Sequence, residues 1–334
     1  MNVRWTRARR AASTMVAVLL GALFGLFTCT TAGATPHFTS DLAEPNVDQR
    51  AYVGRAVHDD MTAAACPDTP RSLVQVDGRL YRHTAGAGLA VHSGFVLITS
   101  EGAVVIDPAT TCTAGWLADE IRTRFGVDVR FVVLTHAHAD HISGAQVLQR
   151  RGAQVVANRR AVEPIVGEEI PTAVPDLVFD RDGTLELGGE KVLLHRVAPS
   201  HSDSLVMVSF PAHRALQCTD VCESRSMPYN DFLDFYYDGW IETLDWVVAQ
   251  PVDVIDVGHY TPATVADEAA LRAYLVDLHA QVLAAVRRGQ SWDQLYRGIR
   301  FSDPVRGWTA FDTMHTLNVL GMYRWVENHR RGEW

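Results

Sequence analysis

The chain has 334 residues, 47% hydrophobic and 21% charged. That is enough to bury one large core or two small ones, and it excludes a disordered or collagen-like chain. The net charge of −9 speaks against general nucleic-acid binding, and five cysteines are too few for a disulfide scaffold without a core.

Residues 1–10 carry Arg4, Arg7, Arg9 and Arg10 and no acid, and an apolar run follows from Ala11 to Phe27. The run ends in Thr31-Ala32-Gly33-Ala34, which offers small residues at both positions a signal peptidase reads. This order predicts a secretory signal over 1–34, cleaved after Ala34, and a periplasmic or extracellular protein. The run is short for a membrane span of ~20 residues, and no second long apolar run is apparent, so no stable membrane anchor is expected after cleavage. Losing the four arginines moves the charge from −9 to −13. Cys66, Cys112, Cys218 and Cys222 remain, and they allow up to two bridges in three pairings.

Residues 35–72 show no sustained period and read as an N-terminal extension. Short apolar strands are expected at 74–82, at 88–99 as one strand or two, and at 103–107. Trp116, Leu117, Ile121 and Phe125 make a helical stripe ended by Gly126, and Phe131–Leu134 is a buried strand. A helix is expected at 143–151 and an extended segment at 154–157. Strands return at 176–179, 184–187, 191–197, 204–210 and 214–218, with Asp182-Gly183 and Gly188-Gly189 as turns. A helix at 240–249 and a strand at 252–257 follow, and from Thr264 the chain reads as helical to its end. Thr264 with Asp267 fits a capping box. So many strands alternating with helices suit two sheets sandwiched between helices, an α+β architecture.

The chemistry concentrates in Thr135-His136-Ala137-His138-Ala139-Asp140-His141, just past the apolar strand 131–134. Three imidazoles and a carboxylate packed this tightly are costly to bury unless a metal holds them. Further ligand-type residues, His201, Asp220 and His259, each follow an expected strand on a loop.

These residues resemble the H-x-H-x-D-H signature and later ligands of the metallo-β-lactamase superfamily, and Val104–Pro108 resembles its strand ending in a supporting Asp, here Asp107. The resemblance runs over roughly 74–262 and implies a four-layer αβ/βα sandwich with metals at one edge of the sheets. It implies a catalytic domain over 73–262 and a helical C-terminal region over 263–334 packed on it. Carried over, His136, His138 and His201 would hold one zinc and Asp140, His141 and His259 a second, with Asp220 bridging; iron or manganese are alternatives. The resemblance departs at Asp220, commonly Cys or Ser in true β-lactamases of this class. A bridging Asp looks more like hydrolases of esters, lactones, thioesters, phosphoesters or sulfate esters. Cys218 beside it stays open as a soft ligand, half a disulfide or a small core residue.

The expected activity is a dinuclear zinc hydrolase, whose metal-bound hydroxide attacks a small-molecule carboxylic ester or lactone. Alternatives are a β-lactam hydrolase, or a phosphoester or sulfate-ester hydrolase, on the same site. Of another class are an iron-dependent oxidoreductase and a non-catalytic accessory protein. The latter is suggested by faint likeness of the Trp308–Tyr323 helix to tails of exported relatives that accompany quinoprotein systems. Asp140 is expected to orient the attacking oxygen, and Tyr260 to donate to a developing oxyanion, with Tyr229 and His92 weaker candidates. Residues 229–240 hold six aromatics and read as a flap over the metals or as a contact beneath the C-terminal helices. No oligomeric state follows from the sequence.

Overall fold

The computed structural model describes residues 35–52 and 68–329. The expected signal peptide, its cleavage site, Cys29 and Cys66 lie outside the described residues. In chain order the strands and helices begin with β1 (His37–Ser40), β2 (Arg71–Asp77), β3 (Leu80–Ala85), β4 (His92–Thr99) and β5 (Gly102–Ile106). Then come α1 (Thr111–Phe125), β6 (Val129–Leu134), α2 (Ala139–Ile142), α3 (Ala145–Arg150), β7 (Gln154–Asn158), α4 (Val162–Gly167) and β8 (Leu177–Phe179). The second half runs through β9 (Asp182–Leu187), β10 (Glu190–Arg196), β11 (Val206–Phe210), β12 (Ala215–Gln217), α5 (Tyr237–Val248) and β13 (Val254–Asp256). It closes with α6 (Val265–Arg287), α7 (Trp292–Leu295), α8 (Asp303–Arg306) and α9 (Phe311–His329).

The strands form two mixed sheets. One has the order β2-β3-β4-β5-β6-β7-β8, antiparallel up to β5 and parallel from β5 to β8. The other has the order β1-β9-β10-β11-β12-β13, with β12 and β13 parallel. Alternation along the strands makes the layers. In β5 and β6, Val104, Ile106, Phe131 and Val133 face the layer between the sheets. Their neighbours Ala103, Val105, Val132 and Leu134 pack with Leu117, Ile121 and Leu148 of α1 and α3. Strands buried on both faces read as unbroken apolar runs. On the far side Met207 and Leu216 pack with Leu244, Leu275, Leu278, Val319 and Met322 of α5, α6 and α9. The result is an α+β sandwich with C-terminal helices against one sheet.

Several elements depart from expectation. The strand expected at 74–82 is two, joined by a two-residue loop at Gly78-Arg79, with Asp77 paired to Leu80. Asp77-Gly78 is the hairpin signal that reading passed over, and Gly78 takes a φ of +49° that a side chain would resist. Asp182-Gly183, expected as a turn, begins β9 instead. A Cβ on Gly183 would stand 3.0 Å from the ring of Phe38 and 3.2 Å from that of Phe179, so packing explains this glycine. The helix expected at 143–151 is α3, and a separate short helix, α2, carries Asp140 and His141 ahead of it. Within the segment expected as an extension, β1 pairs with β9 along four residues. The helix α6, expected as a helix after Thr264, is also a second long apolar run, where none was expected beyond the leader. It is long and apolar enough to cross a membrane, yet Leu271, Leu275, Leu278 and Val282 bury into the core beside the sheet.

Candidate metal centre

The seven expected ligands come from five separate places and meet at one end of the sheets. His136 and His138 follow β6, Asp140 and His141 sit on α2, and His201 lies between β10 and β11. Asp220 follows β12, and His259 follows β13. Loops beyond the C-terminal ends of parallel strands are where such sandwiches can present polar groups without breaking a ladder.

Asp220 is the hub. Its Oδ2 lies 3.3 Å from His136 Nε2, 2.9 Å from His141 Nε2 and 3.3 Å from His201 Nε2, and its Oδ1 lies 3.0 Å from His259 Nε2. His138 joins through His201, their ring nitrogens 2.8 Å apart. Asp140 Oδ2 is 3.4 Å from His141 Nε2. Asp220 holds a left-handed φ of 64°, which costs a non-glycine residue roughly 1–2 kcal/mol. The bond from its amide to Val257 O and the Cys218–Cys222 disulfide around it hold that conformation. That disulfide decides one open pairing and removes Cys218 as a soft ligand. Cys112 is also disulfide-bonded.

Hydrogen bonds behind the ligands set which ring nitrogen faces the site. Thr135 Oγ1 donates to Asp107 Oδ2 at 2.7 Å, so it accepts from His136 Nδ1 at 3.0 Å and leaves Nε2 with a free lone pair. Thr219 Oγ1 also donates to Asp107 Oδ2, and Gln217 Nε2 donates to Thr219. Burial pushes the Asp107 carboxyl up to about 6, against the pull of His141 and of these hydrogen bonds. His259 Nδ1 donates to Val91 O at 2.7 Å, which again frees Nε2. Asp256 accepts from Arg82, Ser93 and the Gly258 amide and fixes the loop that carries His259.

The donor set fits divalent metal. His136 Nε2, His141 Nε2 and Asp220 Oδ1 are buried and make no well-aligned hydrogen bond although they stand 2.9–3.3 Å from neighbouring donors or acceptors, a crowding that a cation among them would relieve. Burial pushes His136 down to about 3, so it is a neutral ligand at ordinary pH. Burial disfavours charge on His141 too, but Asp220 and Asp140 overcome it and raise the ring to about 10. Burial also opposes ionisation of Asp220, and the imidazoles led by His141 hold it well below the usual carboxylate range. The site is therefore built to keep a positive charge between its carboxylates. The four donors of His136, His138, His201 and Asp220 lie within 4.8 Å of one another, as do those of His141, Asp220 and His259.

A cleft of about 840 Å³ opens over the ligands. Tyr260, expected as a donor, lines it, and burial with Glu223 and Tyr229 nearby raises its hydroxyl to about 12. It therefore keeps its proton across neutral pH. The aromatic segment divides its work by residue. Tyr229 and Leu233 line the cleft and stay 67% and 79% exposed. Phe232 and Phe235 also line the cleft and pack into the core beneath the C-terminal helices, Phe235 stacking on Trp240 at 3.9 Å and meeting His201 at 4.8 Å. Asn318 of α9 ties this segment down, donating to Pro228 O at 2.8 Å and Asn230 O at 2.7 Å. Sequence reasoning missed Asn318, Glu223 and Asp234, whose Oδ2 stands 3.7 Å from His201 Nδ1. Asp234 lies within the aromatic segment and Glu223 three residues after Asp220, so position alone pointed to both, whereas Asn318 is fully buried on α9 and reaches the site only through the folded core.

Known proteins resemble this chain in sequence and in fold. Residues 87–259 match the profile of the family described as Metallo-beta-lactamase superfamily. The metallo-beta-lactamase type 2 of Bacteroides fragilis is 23% identical over 191 residues, 54% of this chain and 74% of that protein. A hydroxyacylglutathione hydrolase of Stenotrophomonas maltophilia is 40% identical over 93 residues, 28% of this chain and 33% of that protein. A solved metallo-beta-lactamase from Pontibacter korlensis superposes with a TM-score of 0.56 at 22% identity, over 62% of this chain and 99% of that one. With half of its length matched and its His and Asp side chains gathered at the sheet ends, this chain belongs to the metallo-beta-lactamase superfamily of metal-dependent hydrolases.

Proposed function

We propose that the protein is an exported dinuclear zinc hydrolase acting on carboxylic esters or lactones. The observation that carries this reading is the position of Asp220, one carboxylate within 2.9–3.3 Å of histidines from both donor sets. His136, His138 and His201 would hold one ion, Asp140, His141 and His259 the other, with Asp220 between them. Bound there, the metals supply Lewis acidity that acidifies water and polarises a substrate oxygen.

The rest is the work of this chain's own groups. Asp140, half exposed at the cleft, accepts a hydrogen bond from the attacking water and orients it. Tyr260 donates its proton in a hydrogen bond to the substrate oxygen on which charge develops. Phe232, Leu233 and Tyr229 offer apolar surface to an acyl or aryl group. Among the described residues lining the cleft there is no Lys or Arg, whereas Glu223, Asp231 and Asp234 are present. That lining favours an uncharged ester or lactone over a substrate with a free carboxylate. The basic leader and apolar run of residues 1–27 support export.

A β-lactam substrate is the second reading, favoured by similarity to the Bacteroides fragilis metallo-beta-lactamase over 74% of its length. Elemental analysis of the purified protein should find two equivalents of zinc. Aryl esters and lactones should be turned over in preference to nitrocefin, a phosphodiester and a sulfate ester. Nitrocefin as the best substrate would replace the first reading with the second, and a single equivalent of metal would end the dinuclear reading.

A further inference from the structure

We propose that His92 is an additional protein ligand of the second metal position, beside Asp140, His141, His259 and Asp220. This rests on the dinuclear reading above. The five side chains form a circuit of closely spaced donors. His92 Nε2 is 3.2 Å from Asp140 Oδ2, which is 3.4 Å from His141 Nε2. His141 Nε2 is 2.9 Å from Asp220 Oδ2, whose other oxygen is 3.0 Å from His259 Nε2. Ligands held about 2.0–2.2 Å from one zinc stand roughly 3–3.5 Å from one another. The donors of His92, Asp140 and His259 also lie within 4.8 Å of each other as a set of their own.

The backbone on both sides of His92 is stitched to the loop that carries His259. Val91 O accepts from His259 Nδ1 at 2.7 Å, and the Ser93 amide donates to Gly258 O at 2.7 Å. Ser93 Oγ donates to Asp256 Oδ1 at 2.7 Å, which also accepts the Gly258 amide. The first residue of β4 is thereby fixed against the loop after β13, with the two imidazole centroids 4.9 Å apart. A histidine that only covered the cleft would not need its neighbours on both sides locked to another ligand's loop. Preorganisation of this kind is what a ligand position requires.

The test is metal binding by the purified apoprotein, using zinc against a competing chelator and cobalt(II) followed by its visible absorption. Wild type is compared with His92→Ala and His92→Gln. Gln keeps a donor that can reach Asp140 but offers no imidazole. The expected result is two equivalents in wild type, with the second bound at least ~100-fold more weakly in both variants and the first unchanged. The absorption gained with the second cobalt equivalent should change in both variants alike. Unchanged affinity for the first equivalent shows that the variants are folded. A His92→Gln protein that binds the second equivalent as wild type does would reduce His92 to a hydrogen-bond partner of Asp140 and overturn the inference, leaving the dinuclear reading intact. Wild type saturating at one equivalent would overturn both.

Discussion

Replacing Asn318 with alanine should loosen the wall of the cleft without touching a metal ligand. Asn318 is fully buried on α9, outside the stretch matched to the family. Its amide nitrogen donates to Pro228 O and Asn230 O, and its oxygen accepts from Tyr274 OH at 2.9 Å. Alongside it Gly321 lets α9 approach so closely that a Cβ there would meet Asp231 O at 2.1 Å. Each lost hydrogen bond is worth about 0.5–1.5 kcal/mol net, and the stranded Tyr274 hydroxyl adds about 1–3 kcal/mol. The loss should come to about 2.5–7.5 kcal/mol, a large part of a total stability of about 5–15 kcal/mol, so folding of the variant is checked first by its retained metal and far-UV spectrum. Urea denaturation of Asn318→Ala, Tyr274→Phe and the double variant gives the coupling, expected near 1 kcal/mol or more, because Phe removes the stranded hydroxyl. The loop from Pro228 to Phe235 carries the apolar wall, so KM for a bulky aryl ester should rise about tenfold, a change of about 1.4 kcal/mol. Turnover of a small acetyl ester and bound metal should stay close to wild type. Additive stability losses would refute the Asn318–Tyr274 bond, and an unchanged KM for the bulky ester would refute the role of α9 in shaping the cleft.

The other predictions address the centre and its supports. The double substitution His136→Ala, His138→Ala should remove one of the two metal equivalents and abolish turnover, as read by elemental analysis and ester assay; retained activity contradicts the proposed centre. Thr135→Val keeps the side-chain shape but removes the acceptor of His136 Nδ1, so metal affinity should fall about 10–100-fold with little change in fold. An unaltered chelator titration would show that Thr135 does not set the tautomer. Glu268 of α6 is buried and accepts the Glu223 amide; burial, helped by the Glu223 charge, holds its carboxyl well above the usual range. Below pH ~4.5 the acid is protonated folded and unfolded alike, so Glu268→Gln should match wild type there. Between that point and the raised folded pKa, wild type should lose up to ~1.4 kcal/mol per pH unit relative to the variant. Denaturation curves that run parallel from pH 5 to 8 would show that Glu268 is not held neutral.

The amino-acid sequence by itself determined the chemistry and most of the framework. The crowded His136–His141 segment after an apolar strand points to metal binding because such polar groups are costly to bury together without partners, and unbroken runs such as Val104–Ile106 declare strands covered on both faces. His201, Asp220 and His259 were legible because each follows a strand, although nothing local showed that Asp220 would stand among all the others. Only tertiary structure decided what depends on groups far apart in the chain. The Cys218–Cys222 bridge, the five-donor circuit with His92, and the hold of Asn318 on Pro228 and Asn230 are such cases. The division of the aromatic segment between cleft and core was decided there too, because α9 returns across it from almost a hundred residues away. Local patterns follow from the periodicity of one strand or helix. Which side chains meet across elements is set by how the layers pack, and no spacing along the chain encodes it.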